Sequence, residues 1–263
     1  MTSAQDVVAD LAAEHLDLGS LLATLEDTEW AAATASPGWS VADQVGHLAY
    51  FDETAALAIA DPEAFRLSAE ELLSNAGDDF PDMLLAKPRS MAPAELRQWW
   101  TEAGSALVET ATRLDDSTRV PWYGPEMGSK SFLSARLMET WAHGQDIADA
   151  MGRSRTPSNR LRHVAQLGVN TRGWSYAIRQ LPIDESPIRV HLSAPDGSDW
   201  TWGPEEAEST VEGDAVDFCL VVTQRRHVDD TDLRLVGSPA EEWMSIAQAF
   251  AGGPTDGPPR SSR

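Results

Sequence analysis

The chain has 263 residues, of which 42% are hydrophobic and 24% charged, so it can bury a core without covalent support. Its formal charge of −22 disfavours binding to nucleic acid or to anionic membranes. A single cysteine leaves no internal disulfide, and no stretch is apolar enough to span a bilayer. Because the first residues are acidic and lack a secretory signal, we expect a cytoplasmic protein.

Long amphipathic helices are predicted in the first part of the chain, where apolar residues recur at helical spacing. We predict them over residues 4–26, from the capping residue Ser40 to Asp61-Pro62, over 93–114 after a turn at Lys87-Pro88, and from Ser131 to Gly152. Four such helices predict a bundle over residues 1–155 whose functional side chains face inward.

The second part of the chain has a different pattern, which predicts a smaller α+β domain over residues 156–252. We predict a helix over 159–178, a strand over Arg189–Ser193, a turn at Asp196-Gly197, a strand over Trp200–Trp202 and a helix over Pro239–Ala251. The segment 215–226 fits a buried helix or a strand equally well. Residues 253–263 are rich in Gly, Pro and Ser and are predicted to be a flexible tail.

A pair of metal-ligand residue types lies on the predicted fourth helix. Glu139 and His143 are four residues apart, so they share one helical face with Cβ atoms about 5–6 Å apart. Such a pair alone is usually a surface hydrogen bond. His47, on the predicted second helix, is by itself most simply a core histidine. The other histidines have no partner at comparable spacing and are interpreted as surface or structural residues: His15, His163, His191 and His227.

Two sequence phrases give these residues a context. GWSVADQVGHL, ending at Leu48, resembles the first metal-ligand helix of the DinB superfamily. RLMETWAHGQD, from Arg136 to Asp146, resembles the second ligand helix of that superfamily's mycothiol-dependent maleylpyruvate isomerase branch. The C-terminal part resembles an actinobacterial subgroup often labelled "wyosine base formation". The resemblance implies an α+β fold class, with an N-terminal DinB-like four-helix bundle followed by a smaller α+β domain.

The resemblance also implies one divalent metal ion of zinc type, held by His47, Glu139 and His143 with a position left open. Irving–Williams ordering allows nickel or copper to replace zinc during purification. Asp146 is a candidate to orient a ligand imidazole, the alternative being an exposed acid. Arg136 is a candidate to hold an anionic substrate, although a helix salt bridge with Glu139 is the plainer interpretation.

Three further residues are candidates for substrate or cofactor binding. Trp39 and Trp141 flank the proposed ligands and are candidates to line the cofactor pocket. Arg226 belongs to the compact basic cluster of the second domain and is a candidate to hold a substrate carboxylate. Its alternative role is an ion pair with one of the neighbouring acids. Cys219 is interpreted as a small buried hydrophobe.

The resemblance implies an enzyme that uses a low-molecular-weight thiol, mycothiol, to attack a small electrophile. Because a coordinating thiol is deprotonated, the expected reactions are S-transfer or isomerisation by the thiolate. A metal-dependent hydrolase with Asp146 as its base, and a non-catalytic metal-stabilised binding module, remain as alternatives. The chain lacks the basic stripe and the cysteine set that a transfer-RNA-modifying enzyme would need. Both a monomer and a homodimer fit the sequence.

Overall fold

The structure is a computed structural model that describes residues 2–75 and 80–261. The chain forms two compact units, Met1–Arg155 and Thr156–Arg263. The first is built from helices and the second combines helices with a four-stranded sheet, which confirms the predicted α+β class. None of the described helices is long and apolar enough to cross a membrane.

The described part of the first unit is a helical bundle with a short β-hairpin. Its elements are α1 (Ala4–Leu22), α2 (Val41–Ala60), α3 (Pro62–Asn75), α4 (Phe80–Arg89), α5 (Pro93–Ala111), β1 (Arg119–Val120), β2 (Met127–Gly128) and α6 (Ser129–Ala150). The bundle consists of α1, α2, α5 and α6, which pack against one another. Their apolar faces meet in one core cluster that includes Leu18, Leu22, Val45, Leu48, Leu96, Trp100 and Ile147.

The start of α2 is fixed by the predicted cap. Ser40 Oγ accepts the Asp43 N–H, while the Asp43 carboxylate accepts the Ser40 N–H at 2.9 Å, so two free donors of the first turn are satisfied. The other oxygen of Asp43 accepts Arg89 Nε at 2.9 Å. The cap therefore also ties the end of α4 to the start of the helix that carries His47.

The turn predicted at Lys87-Pro88 is wrong, since both residues lie in α4. The proline is the penultimate residue of this helix, so the hydrogen bond that it cannot donate is lost from the last turn alone. Pro88 packs directly on Gly46 of α2, and a Cβ built at position 46 would lie 2.3 Å from Pro88 Cβ. A glycine is therefore required one residue before His47 for the two helices to meet.

A buried polar contact lies between α1, α2 and α6. Asp52 is fully buried, with His15 Nε2 3.1 Å from Oδ2 and Arg136 Nε 3.4 Å from Oδ1. An opposite charge is what makes a buried carboxylate tolerable. His15, which has no partner at helical spacing in the sequence, finds one only through the tertiary fold.

The second unit places helices against a mixed sheet. Its elements are α7 (Leu161–Asn170), α8 (Arg172–Ala177), β3 (Ile188–Ser193), β4 (Asp199–Trp202), β5 (Ser209–Asp214), α9 (Ala215–Val222), β6 (Arg234–Val236) and α10 (Ser238–Ile246). The strand order is β4-β3-β5-β6, with β3 parallel to β5 and the other pairs antiparallel. Alternate residues of β3, Ile188, Val190 and Leu192, are buried.

The structure bears on three local predictions for this unit. The single helix predicted over 159–178 is two helices, because the chain departs from helical geometry at Thr171, whose hydroxyl donates to the Leu167 carbonyl at 2.8 Å. The segment 215–226, which fitted a helix or a strand, is helical over Ala215–Val222, which is α9 and is capped by Asp214. Residues 253–261 carry no helix or strand, and Thr255 donates its N–H to Gln248 Oε1 at 3.3 Å. The flexibility of this tail stays a prediction.

Substituting Gly46 by alanine is expected to destabilise the protein by about 1–3 kcal/mol, because the new methyl group overpacks against Pro88. Helix propensity alone would give the opposite sign, about 1 kcal/mol of stabilisation. Chemical denaturation measures the difference. The matched control is Gly19→Ala in α1, where the nearest atom lies at an ordinary 3.7 Å and stabilisation is expected. A stabilising Gly46→Ala would contradict the described packing of α2 on α4.

Candidate metal centre

Three potential ligand atoms meet between α2 and α6. Glu139 and His143 lie one turn apart on α6, and His47 faces them from α2. His47 Nε2 is 3.3 Å and His143 Nε2 is 3.1 Å from Glu139 Oε2. One ligand atom from each of these residues lies within 4.8 Å of the others.

The spacing of these atoms fits a tetrahedral cation. Bonds of about 2.0–2.1 Å at tetrahedral angles place ligand atoms about 3.3–3.4 Å apart. The measured separations of 3.1 and 3.3 Å are close to that edge length. The His47 and Glu139 side chains are 19% and 21% exposed, so a cation held here would keep one side accessible to a further ligand.

A hydrogen-bond chain decides which nitrogen of His143 faces the cluster. The amide of Gln44 donates through Nε2 to Thr34 Oγ1 at 2.8 Å, and Thr34 in turn donates to the Trp39 carbonyl at 3.0 Å. The Gln44 carbonyl oxygen is thereby directed at His143, where it accepts the Nδ1 proton. In the neutral ring, Nε2 is then a bare acceptor facing Glu139.

Two acceptors that face each other require a positive charge between them. His143 Nε2 and Glu139 Oε2 are 3.1 Å apart, a separation that either a proton on His143 or a bound cation makes favourable. If a metal ion is bound, Gln44 would be the outer partner that fixes His143 in the tautomer that ligation requires. It lies three residues before His47 on α2, and this shared helical face was the signal available in the sequence.

The electrostatic surroundings favour the ligand forms of these side chains. Burial, aided by His143, lowers the pKa of His47 to about 4, although Glu139 opposes the shift. Burial raises the pKa of Glu139, but its contacts with His143 and His47 outweigh this effect and hold the pKa well below its usual value. A neutral His47 and an ionised Glu139 are the protonation states that metal ligation requires.

Asp146 is buried rather than exposed, so the interpretation as an exposed acid is wrong. Its Oδ2 lies 3.8 Å from His143 Nδ1 and 3.5 Å from Ser36 Oγ. The direct acceptor of the His143 proton is Gln44, and Asp146 stands behind the same edge of the ring. A role for Asp146 in orienting the imidazole stays a prediction.

Arg136 pairs with a different carboxylate from the one expected. Among the described residues its ion pair is with Asp52, at 3.4 Å, and not with Glu139. The helix salt bridge was the wrong interpretation because the Arg136 side chain is buried toward α2. Its guanidinium carbon lies 5.7 Å from the Phe51 ring centre, so the charge is close to the cluster. Its role toward a substrate stays a prediction.

The two tryptophans have different positions. The Trp39 ring stacks on His143 at 5.9 Å between ring centres and lies 5.3 Å from His47, so it covers one side of the ligand pair. Trp141 is 6% exposed and, within the described chain, contacts neither ligand ring. The position of Trp39 is therefore compatible with contact to a cofactor bound at the cluster. Contacts of Trp39 and of Trp141 with a cofactor stay predictions.

Arg226 belongs to the second unit, where its Nη1 donates to the Arg225 carbonyl at 2.8 Å. The carboxylate-binding role predicted for Arg226 stays a prediction. Cys219 is buried and its Sγ lies 3.6 Å from the Leu161 carbonyl, and burial raises the pKa of its thiol well above the usual value. This fits the predicted small buried hydrophobe.

Fold and site together define a class: a four-helix bundle with a His/Glu/His cluster between two of its helices, followed by a smaller α+β unit. Residues 11–148 match the family described as mycothiol maleylpyruvate isomerase N-terminal domain, and residues 184–236 match the family described as wyosine base formation. The chain belongs to the mycothiol maleylpyruvate isomerase N-terminal domain family. The resemblance seen in the sequence is thereby confirmed.

Similar proteins extend over almost the whole chain. Two uncharacterized proteins of Mycobacterium tuberculosis, Rv0036c and MT0041, are each 42% identical over 95% of this chain and 97% of their own length. Crystal structures of the mycothiol-dependent maleylpyruvate isomerase, one of them a histidine-to-alanine variant, align with a TM-score of 0.59. They are 15% identical and cover 97% of this chain and 99% of theirs. The chain thus has the fold of a thiol-dependent isomerase.

Replacing Gln44 by leucine is expected to weaken zinc binding by about 10–100-fold, because the His143 ring loses the acceptor that fixes its orientation. The dissociation constant is measured by competition with a chromogenic chelator. The control is Gln98→Leu, which removes an exposed glutamine of α5 whose side chain donates to Glu102 at 2.8 Å within the described chain. Equal affinity in wild type and Gln44→Leu would contradict the role given to this hydrogen bond.

Proposed function

We propose that the chain is a metal-dependent cytoplasmic enzyme in which His47, Glu139 and His143 hold one zinc-type ion. Its cosubstrate is a low-molecular-weight thiol such as mycothiol, used for S-transfer to, or isomerisation of, a small electrophile. The observation that carries the metal site is the convergence of His47 Nε2 and His143 Nε2 on Glu139 Oε2, at 3.3 and 3.1 Å. The thiol is supported by the family and by the name of the solved relative.

When bound, the ion would lower the pKa of a coordinated thiol and keep it as the thiolate, which is the nucleophile. The residues of the chain prepare that chemistry. Glu139 places a negative charge among the ligands, and Trp39 covers the His143 ring, which limits access by water. The thiol proton would leave to solvent. The thiolate sulfur would then attack a carbon of a conjugated double bond, so that a C–S bond forms as the π bond opens and its electron pair moves to the conjugated acceptor. In isomerisation, rotation about the resulting single bond would be followed by return of that electron pair and loss of the thiolate. In S-transfer, the C–S bond would remain and the adjacent carbon would take a proton from solvent.

The position of Asp146 favours the thiol reaction over the hydrolytic alternative. A hydrolase needs a base beside the water at the open position. Asp146 lies on the Nδ1 edge of His143, 3.8 Å from that atom, whereas Nε2 is the atom that faces the other ligands. The carboxylate is thus behind the ligand ring. A thiol that is deprotonated on binding needs no such base.

Metal analysis and thiol titration of the cobalt-substituted protein test the proposal. We expect about one ion per chain in wild type, and its loss in His47→Ala, because removing one of three ligands destroys the site. The matched control is His191→Ala, a half-exposed histidine that pairs with Asp199 at 2.9 Å in the second unit and should leave the ion bound. Adding mycothiol to the cobalt protein should produce a thiolate-to-cobalt charge-transfer band.

A different experimental result would contradict each part of the proposal. A bound ion with no spectral response to mycothiol or 2-mercaptoethanol would contradict the thiol reaction and favour the hydrolase or a binding module. A large loss of stability on chelation, with no turnover of any kind, would identify the binding module. Absence of metal from wild type after reconstitution would contradict the site itself.

A further inference from the structure

A row of aromatic side chains begins beside His47, in the His47–Glu139–His143 cluster, and continues away from it in one direction. We call Tyr50, Phe51, Trp122 and Tyr123 the aromatic strip. The Phe51 ring centre lies 4.6 Å from that of His47, and the other three rings lie 5.1–6.2 Å from Phe51. Ring-to-ring contacts thus continue without a gap from a proposed ligand to the far end of the strip.

Two elements build the strip. Tyr50 and Phe51 follow His47 at helical spacings of three and four residues, so they share its face of α2. Trp122 and Tyr123 come from the loop between β1 and β2, more than seventy residues further along the chain. Tyr50 and Tyr123 join the two elements through their hydroxyl groups, which are 3.3 Å apart.

The strip is a half-buried layer with a buried layer behind it. All four of its residues are partly exposed, whereas Phe65 and Phe132 are each 1% exposed. Phe65 stacks on Trp122 at 5.6 Å with the planes only 2° apart, and Phe132 meets the Trp122 ring edge-on at 5.2 Å. This backing holds the outer rings in place, so a ligand would meet a preformed surface.

Among the contacts of the described residues, the cation that approaches a ring of the strip is Arg136, 5.7 Å from the Phe51 ring, and the fully buried Asp52 pairs with it at 3.4 Å. The ring faces of the strip are themselves electronegative. A substrate carboxylate placed here would meet these ring faces and two phenols, whereas a planar unsaturated group would meet partners that stack on it.

We infer that the aromatic strip is the subsite for the electrophile and selects an uncharged planar group, an aromatic ring or a conjugated system, next to the metal-bound thiolate. This inference rests on the proposed function, whose substrate class it names. Binding sites of this kind are lined mainly by aromatic surface with a few polar groups to fix orientation. In the strip the paired hydroxyls of Tyr50 and Tyr123 are those polar groups.

Acetohydroxamate and benzohydroxamate test the subsite, because they share the metal-chelating hydroxamate group and differ only in its substituent, a methyl group or a phenyl ring. Acetohydroxamate and benzohydroxamate are titrated into the cobalt-loaded full-length protein, and the dissociation constants are read from the visible spectrum. We expect benzohydroxamate to bind about tenfold more tightly, the gain that ring stacking supplies. Succinic monohydroxamate, which adds a carboxylate, is expected to bind no more tightly than acetohydroxamate.

The variant Tyr123→Leu removes one ring of the strip without touching a proposed ligand. It should reduce the preference for benzohydroxamate to about twofold while cobalt remains bound, since fewer rings are left to stack on the ligand. The control is Trp174→Leu, which removes a 42% exposed ring from the second unit and should leave the preference unchanged. If Tyr123→Leu does not fold, the preference of the wild-type protein still decides the question.

The outcomes separate the subsite from the proposed function. Equal binding of acetohydroxamate and benzohydroxamate would overturn the aromatic subsite and leave the metal centre standing. Tighter binding of the succinic compound would overturn the preference for an uncharged group. A bound cobalt ion whose spectrum responds to none of the three compounds would have no open coordination position, which would contradict both the proposed thiol chemistry and the subsite.

Discussion

His143 donates its Nδ1 proton to Gln44, and this hydrogen bond joins the helix that carries two of the proposed ligands to the helix that carries the third. Because the bond fixes the ring, His143 Nε2 faces Glu139, and His47 Nε2 reaches the same carboxylate from the opposite helix at 3.3 Å. A shift or rotation of α2 would break this geometry. The position of α2 is therefore the constraint on which the site depends.

The contacts of α2 explain how its position is maintained. Its first turn is capped by Ser40 and Asp43, and Arg89 binds the same aspartate from α4. Gly46 lets Pro88 pack against the helix backbone. Further along, Asp52 binds Arg136 of α6 in the buried interior. Two neighbouring helices, α4 and α6, thus hold α2, and His47 lies between the points at which it is held.

The site combines a carboxylate with an aromatic boundary. As a metal ligand, Glu139 would reduce the net charge of a divalent ion by one unit. The Trp39 ring lies against His47 and His143 on one side, while Phe51 lies against His47. Such surroundings lower the local polarity, which strengthens each remaining electrostatic contact. They suit a soft, polarisable thiolate sulfur, and the acid that would serve a bound water stands behind the His143 ring.

The sequence was most informative where local rules decide the structure. The Ser40 cap, the four-residue spacing of Glu139 and His143, and the alternation in β3 all follow from backbone geometry within a few residues. α3 was missed because its apolar residues do not form one buried stripe: Leu67 and Leu73 are 60% and 56% exposed.

Contacts between distant segments could not be predicted in the same way. The pairing of His15 with Asp52, and the approach of Trp122 and Tyr123 to Phe51, depend on how helices and loops pack. The choice of Gln44 as the acceptor for His143 likewise requires the tertiary distance. Sequence patterns specify the elements, whereas the polar and aromatic surroundings of the site arise only when those elements meet.

X-ray absorption at the metal edge of the reconstituted protein, recorded with and without thiol, tests the central claim most directly. The account predicts scattering from two imidazole nitrogens and one carboxylate oxygen at about 2.0–2.2 Å, with a sulfur appearing at about 2.3 Å when mycothiol is added. A first shell of oxygen atoms without imidazole scattering would contradict the assigned ligands. A first shell that stays unchanged on addition of thiol would contradict the thiolate chemistry.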